Sequence, residues 1–277
     1  MTQQSAISGA GAVGPGFDIP DPTSVPSLKG EVSDAEWQLR CELAATYRLV
    51  ALYGWDDMVF THISVRCPDE DGAARFLINP YGVFFDEMTA SSLVKIDVNG
   101  AQVGASPYFT NPAGFTIHSA IHMARDDAHA VLHLHSPYGV AVSAQKDGLR
   151  RYSQFSMIVH DDLAYHDYEG IATDHDERER IVNDMGAHGF LMLRNHGTLT
   201  VGSNCAIAFN RMYFLEQACK VQILAQSDVK EPHEETPDMA AKVLAQGAPA
   251  FVQGMGDNIA WPGLMRKLKR ENPGWDV

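Results

Sequence analysis

The stretch Ala130-Val131-Leu132-His133-Leu134-His135 decides the fold and is closed by Ser136-Pro137. Apolar and imidazole side chains alternate here, which predicts a β-strand, because successive strand residues point to opposite faces. Leu132 and Leu134 then face the packed interior. The two histidines share the other face, about 6.6 Å apart along the strand, and from there can reach one metal ion. A solvated polar strand face is the plainer alternative, but neutral imidazole is the commonest metal ligand.

A third imidazole ligand is offered by His196, within Arg194-Asn195-His196-Gly197. An apolar strand predicted over 190–194 runs into this turn, and functional sites are often built where strands end. Taken alone, His196 would be a turn residue. Together with His133 and His135 it gives three nitrogen ligands and an open coordination position, which is typical of a catalytic metal site.

The composition excludes several classes of partner. The chain has 277 residues, with 21 Lys and Arg against 35 Asp and Glu, so its net charge is −14. Such a chain is repelled by phosphate backbones and anionic membranes, and we expect neither a nucleic acid nor a membrane as partner. The four cysteines contain no Cys-x-x-Cys pair, and we find no membrane-length apolar run or signal peptide. We therefore expect a cytoplasmic protein.

The positions of Gly and Pro residues and of apolar periodicity divide the chain into three predicted regions. Residues 1–32 are rich in Gly, Ser and Pro and are expected to form a flexible N-terminal arm. A G-x-G-x-x-G match over 9–14 lacks a preceding strand and is rejected as a dinucleotide site. The capping box Ser33-x-x-Glu36 opens a domain assigned to 33–227. Residues 228–277 form a tail expected to pack on the body or on a neighbouring subunit.

Strands and helices alternate irregularly within the domain, which predicts one layered α/β domain with a mixed sheet. A long helix over 204–226 is apolar on nearly all sides and must be covered. Either a subunit interface or the body of the same chain would cover it. His160, His166 and His175 fall in acidic, loop-like stretches and are interpreted as surface or hinge residues; the alternative is that His166 or Tyr165 borders a pocket.

The chain resembles the class II aldolase/adducin family over about residues 34–226. The matching motifs, in the family's order, are Gly54, Thr61-His62-Ile63-Ser64-Val65-Arg66, Asn79-Pro80-Tyr81-Gly82, His118, His133-x-His135 and Arg194-Asn195-His196-Gly197. The resemblance implies a three-layer α/β/α sandwich around a mixed, mainly antiparallel sheet and a divalent ion bound by three histidines. It also implies a homotetramer with active sites at subunit interfaces. Family members include sugar-phosphate aldolases, epimerases, decarboxylases and the non-catalytic head of adducin.

Two departures from the aldolases bring the chain closer to the adducin-like branch. The family's aldolases carry Glu, and its epimerases Asp, four residues before His118; here that residue is Gly114, so the usual acid/base is absent. The aldolases' phosphate loop has a Gly-Asn pair where this chain has Thr61-His62. Fewer glycines leave fewer backbone N–H groups to hold a phosphate, so a sugar phosphate is disfavoured as substrate.

The expected activity is that of a divalent-metal-dependent carbon–carbon lyase acting on a small, non-phosphorylated hydroxy or keto acid, aromatic acids included. A metal-stabilised enolate would serve decarboxylation or retro-aldol cleavage. Decarboxylation needs no base for a hydroxyl proton, so the loss at Gly114 favours it. Zn²⁺ is the first expectation, and Mn²⁺, Fe²⁺ or Co²⁺ also suit three imidazoles. The alternative is a non-catalytic, adducin-like binding or assembly module with a structural metal.

Four further residues are candidates beside the metal. His62 occupies the position of a family active-site residue and is the candidate proton donor; a buried, backbone-bonded histidine is an equal alternative. Tyr81 and Gly82 line the substrate pocket or serve only the turn. His118 is assigned to substrate binding, with packing or support of a ligand as its alternative. Arg194 binds a substrate carboxylate or forms a salt bridge.

Overall fold

The computed structural model describes residues 19–68, 72–170, 177–228, 231–246 and 254–277. Its helices are α1 (Asp34–Leu52), α2 (Pro112–Ala124), α3 (Pro137–Ser143), α4 (Gln154–Val159), α5 (Glu177–Met185), α6 (Cys205–Asp228), α7 (Pro237–Ala245) and α8 (Trp261–Glu271). Its strands are β1 (His62–Arg66), β2 (Arg75–Ile78), β3 (Val94–Asp97), β4 (Ala130–Leu134), β5 (Leu163–His166), β6 (Phe190–Leu193) and β7 (Gly197–Gly202).

The described strands form one seven-stranded sheet in the order β3-β2-β1-β4-β7-β6-β5. The β5–β6 pair is parallel and the other neighbours are antiparallel. Helices α2 and α5 pack with apolar residues on one face of the sheet, and α1 and α6 pack on the other. The predicted α/β/α sandwich around a mixed, mainly antiparallel sheet is therefore confirmed.

Strands β1 and β4 sort their side chains by face, as alternation requires. Ile63 and Leu132 lie in the apolar core beneath α1 and α6. His62 pairs with His133 in the β1–β4 register, so both point to the α2 side. Ser64, two residues after His62, points there too and hydrogen-bonds histidines of α2. The sheet thus carries its imidazoles on one face.

Helix α1 fixes the beginning of β1. Its N-cap is Ser33, whose hydroxyl accepts a hydrogen bond from the Glu36 N–H at 3.3 Å, as the capping box predicts. Further along, the buried Tyr47 hydroxyl accepts from the Ile63 N–H at 2.7 Å and donates to Asn79 Oδ1 at 2.8 Å. One phenol therefore ties the helix to β1 and to the Asn79-Pro80 turn.

The two flanking regions contact the same chain. In the tail, Arg48 of α1 donates to Asn272 Oδ1 at 2.6 Å, and the Ala90 N–H donates to the Trp275 carbonyl at 2.8 Å. Before α1, the Leu28 N–H donates to Ser91 Oγ at 3.1 Å. Residues 1–18 of the predicted arm lie outside the described residues, and the division at residues 32 and 227 stays a prediction.

The body of the chain covers α6, which packs against α1, α3, α4 and β7. Strand β5 lies in a stretch that the sequence predicted to be loop-like, and α4 was not predicted. They have four and six residues, too few to show a periodicity of their own. Within the described ranges, every helix is too short or too polar to cross a bilayer.

Candidate metal centre

Three imidazoles meet at the end of β4. The ligand-capable nitrogens of His133, His135 and His196 all lie within 4.8 Å of one another. Nε2 of His133 and Nε2 of His135 are 3.1 Å apart. Nitrogens that bind one tetrahedral ion at about 2.0–2.1 Å lie about 3.3–3.4 Å from each other, so this spacing suits a shared ion. We call these three residues the histidine triad.

Each member of the triad is placed by the end of a strand. His133 belongs to β4 and His135 follows it directly. His196 follows Asn195, whose φ of 55° lies in the left-handed region that Asn tolerates. At Gly197, a Cβ atom would stand 2.3 Å from the Leu134 carbonyl oxygen. Glycine therefore allows β7 to approach β4 closely enough to bring His196 to the other two rings.

The second nitrogen of two triad rings is held by an acceptor. Nδ1 of His133 lies 3.0 Å from the Thr198 carbonyl oxygen, and Nδ1 of His135 lies 3.1 Å from Asp57 Oδ2. Neither oxygen can donate, so both Nδ1 atoms carry the proton and both Nε2 atoms keep a lone pair. Metal-binding histidines are prepared in this way by carbonyl and carboxylate partners. The donor set therefore fits a divalent ion.

Asp57 is a site residue that sequence reasoning missed. It opens a tight turn in which the Phe60 N–H donates to the Asp57 carbonyl at 2.9 Å. Met58 and Thr61 in the same turn have φ values of 50° and 68°, a conformation that costs L-residues about 1–2 kcal/mol each. Asp57 and His135 are 78 positions apart. Only the Asp56-Asp57 pair just ahead of the Thr61-His62 motif hinted at it.

His62 stands beside the triad on β1. Neither of its ring nitrogens has a hydrogen-bond partner among the described residues, and both are shielded from solvent. Burial, reinforced by the charges of His135 and His196, lowers the pKa of His62 to about 4. Burial also lowers the pKa of His118 well below its usual range. At neutral pH both rings are therefore neutral, and His62 holds one N–H.

Tyr81 and Gly82, which were predicted to line the substrate pocket, have contacts of their own. Tyr81 forms a ring contact with Phe109, their centroids 5.7 Å apart. Gly82 has φ 94°, and a Cβ there would meet Ile19 at 2.2 Å. In the described part of the chain, neither residue has a hydrogen bond or ring contact with the triad.

Arg194, by contrast, lines a small cavity that also includes His196 of the triad. Its guanidinium donates to the Gln145 carbonyl at 2.8 Å and lies 4.4 Å above the Tyr165 ring. Its contacts are therefore to carbonyls and a ring.

The surface or hinge position predicted for His166 is wrong. This residue ends β5 and is 3% exposed, and its Nδ1 lies 2.7 Å from Asp184 Oδ2. Its Nε2 is 3.7 Å from a carboxylate oxygen of Glu177, whose pKa burial raises. His166 and Glu177 line the cavity that His196 borders. Of its two predicted companions, His160 is partly exposed, and His175 lies outside the described residues.

A family model described as "Class II Aldolase and Adducin N-terminal domain" matches residues 41–223. The chain belongs to this family. A Caulobacter vibrioides protein named as a provisional class 2 aldolase is 57% identical over 90% of this chain and 96% of its own length. Mouse alpha-adducin is 39% identical over 86% of this chain, but the match spans 34% of adducin.

Among solved structures, an aldolase II superfamily protein from Pseudomonas syringae superimposes with a TM-score of 0.84. The two sequences are 44% identical, and the match covers 91% of this chain and all of that one. Class II aldolases typically use a divalent metal, often zinc, which agrees with the presence of the histidine triad. The family resemblance deduced from the sequence is thereby confirmed.

Proposed function

We propose that this protein is a divalent-metal-dependent lyase that cleaves a carbon–carbon bond in a small, non-phosphorylated hydroxy or keto acid. The observation that carries the proposal is the prepared state of the triad. Two Nε2 lone pairs are fixed by acceptors on Nδ1, and a third imidazole lies beside them. A bound divalent ion, for which Zn²⁺ is our first choice, supplies a Lewis acid that withdraws electrons from a substrate carbonyl.

The protein's own residues favour decarboxylation over aldol cleavage. In the sequence, Gly114 stands where the family's aldolases and epimerases have an acidic residue, so the usual acid/base is absent. His62 holds one ring proton in a site shielded from water, and we assign to it the delivery of a proton to the product carbon, with one ring nitrogen giving its proton while the other takes one up, so that the ring stays neutral. Arg194 adds positive charge near the cavity and attracts the substrate carboxylate. These roles require no base for a hydroxyl proton, which retro-aldol cleavage would need.

We further propose that the sites lie at subunit interfaces of a homotetramer. Three large apolar side chains near the triad are exposed: Met58 at 62%, Phe60 at 46% and Tyr168 at 54%. Met58 and Phe60 belong to the turn that holds Asp57, and the Tyr168 ring lies 6.4 Å from that of His196. Exposed apolar groups around a site mark a surface that a second copy or a substrate covers.

The test is elemental analysis of the purified full chain, followed by a panel of hydroxy, keto and aromatic acids. We expect about one divalent ion per subunit and release of CO₂ from at least one acid. His62→Ala should keep the metal and slow turnover by about 10²-fold or more, the usual contribution of an acid/base group. The control His188→Ala, at a half-exposed histidine, should change neither. Aldehyde release instead of CO₂ would select retro-aldol cleavage, and absence of bound metal would refute the proposal.

The similarity to alpha-adducin favours a second candidate: a binding or assembly module that keeps a metal for structure. This module would retain the ion yet turn over no acid of the panel. Its folding, but not any reaction, would depend on the triad.

A further inference from the structure

Behind His62, on the α2 side of the sheet, four groups form an unbroken hydrogen-bonded chain. Nδ1 of His122 lies 2.7 Å from the Ala128 carbonyl oxygen, and Nε2 of the same ring lies 2.7 Å from Ser64 Oγ. Ser64 Oγ in turn lies 2.7 Å from Nδ1 of His118. Ser64, His118, His122 and Ala128 are all 0% exposed. The four groups are therefore sealed from water.

One carbonyl sets the direction of every hydrogen bond in this chain. The Ala128 oxygen can only accept, so Nδ1 of His122 carries a proton. In a neutral ring Nε2 of His122 is then bare and accepts the hydroxyl proton of Ser64. That hydroxyl has no second proton, so it accepts from Nδ1 of His118. His118 consequently has its proton on Nδ1 and a lone pair on Nε2.

Both rings are neutral as this reasoning requires. Burial lowers the pKa of His122 to about 3 and that of His118 well below its usual value. The groups facing His118 are His62 on β1 and His122 on its own helix, and Arg66 adds a like charge near His122.

The unprotonated Nε2 of His118 belongs to a ring that packs against the ring of His62. Nε2 of His118 and both nitrogens of His62 are buried and have no partner in the described residues. The two rings meet at 85°, with their centroids 5.7 Å apart. Buried polar atoms without partners are uncommon and call for an explanation. Three hydrogen bonds keep Nε2 of His118 unprotonated, which indicates that this nitrogen accepts a hydrogen bond from a donor on the side of His62.

We infer that Ser64 and His122 are positioning residues, which keep the proton of His118 on Nδ1 so that its Nε2 serves as a hydrogen-bond acceptor beside His62. The donor is the His62 N–H or a substrate hydroxyl beside His62. The inference uses the proposed function only for the role of His62 in turnover. The position of the proton does not depend on it.

The test is the nitrogen NMR spectrum of the full chain labelled with ¹⁵N-histidine, before and after addition of ZnCl₂. His118→Gln identifies the His118 signals by their loss. We expect Nδ1 of His118 to show a bound proton and Nε2 to show an unprotonated nitrogen. A proton on Nε2 would overturn the inference and leave the proposed metal site standing. Conversely, a chain that binds no zinc would refute the metal site without moving this proton.

Two variants separate positioning from packing. Ser64→Ala removes the hydroxyl, and we expect the His118 proton to redistribute between both nitrogens. Ser64→Thr keeps a hydroxyl and should keep the proton on Nδ1. Ser92→Ala removes an equally buried hydroxyl that bonds the Thr89 carbonyl, far from the site, and should leave the His118 signals unchanged. An unchanged His118 in Ser64→Ala would remove the role of Ser64. If that variant fails to fold, the wild-type and Ser64→Thr spectra still decide.

Discussion

Two groups of histidines lie on the same face of the sheet and differ in what their second nitrogen meets. In the triad, acceptors take the Nδ1 protons of His133 and His135, and the Nε2 atoms point to a common space. In the His118–His122 pair, three of the four nitrogens are spent on internal hydrogen bonds and water is excluded. The residue type is the same in both. The partners of the ring decide whether it offers a ligand or carries a hydrogen-bond chain.

The sharpest test of this difference is His133→Ala. Removal of one ligand from a three-nitrogen site should abolish metal retention after dialysis, while the variant remains folded. Elemental analysis and circular dichroism would measure both properties. Full retention of the ion in this variant would mean that the metal is held elsewhere.

The converse variant is His122→Ala, which empties a fully buried position. It leaves the Ala128 carbonyl without its donor and the Ser64 hydroxyl proton without its acceptor, and we expect a loss of about 2–4 kcal/mol in the free energy of unfolding. Metal content should be unchanged. Urea unfolding would measure the free energy, and elemental analysis would measure the metal content. A variant that keeps its stability but loses its metal would show that His122 supports the metal site.

A smaller effect is expected at Asp57, the partner of His135. Asp57→Asn keeps an oxygen for the Nδ1 proton but removes the negative charge that makes the ring a better ligand. Such changes cost about 10–100-fold in metal affinity. Competition with a zinc chelator would measure it, with Asp56→Asn as the neighbouring control. Equal affinities for both variants would deny Asp57 a role at the metal.

The smallest effect concerns the pH dependence of stability. Oε1 of Glu216, on α6, lies 3.3 Å from the Thr198 hydroxyl. The carbonyl of the same threonine accepts from Nδ1 of His133. Burial raises the pKa of Glu216 from 4.5 to about 7. The folded protein therefore binds an extra proton at Glu216 between these values, and the contribution of Glu216 to stability falls as the pH rises through them, by at most about 1.4 kcal/mol per pH unit.

Relative to wild type, Glu216→Gln should therefore gain stability as the pH rises from about 5 to 7, while leaving the metal in place. Urea unfolding at several pH values would reveal the difference from wild type. Identical slopes in both proteins would show that Glu216 titrates near its ordinary value in the folded state.

The sequence predicted the features that are written locally. Alternation over 130–135 placed His133 on the correct face, and the capping box placed Ser33 at the start of α1. Asp57 and Ser64 escaped because their partners lie 78 and 54 positions away, and no local pattern records a contact across strands. His166 was misplaced because its strand is four residues long and flanked by acidic residues, which imitate a loop.

Under the proposed function, the Asp57 carboxylate also affects the charge that an arriving substrate meets. A divalent ion in the triad, beside this carboxylate, would leave a local charge of about +1, within a chain whose net charge is −14. An anionic acid is thus repelled at long range and attracted only over the last few ångströms. Dissolved salt shortens both fields to about 8–10 Å at physiological strength, and it weakens the distant repulsion more than the close attraction. Moderate ionic strength should therefore speed the encounter with an anion, the reverse of the usual effect for oppositely charged partners.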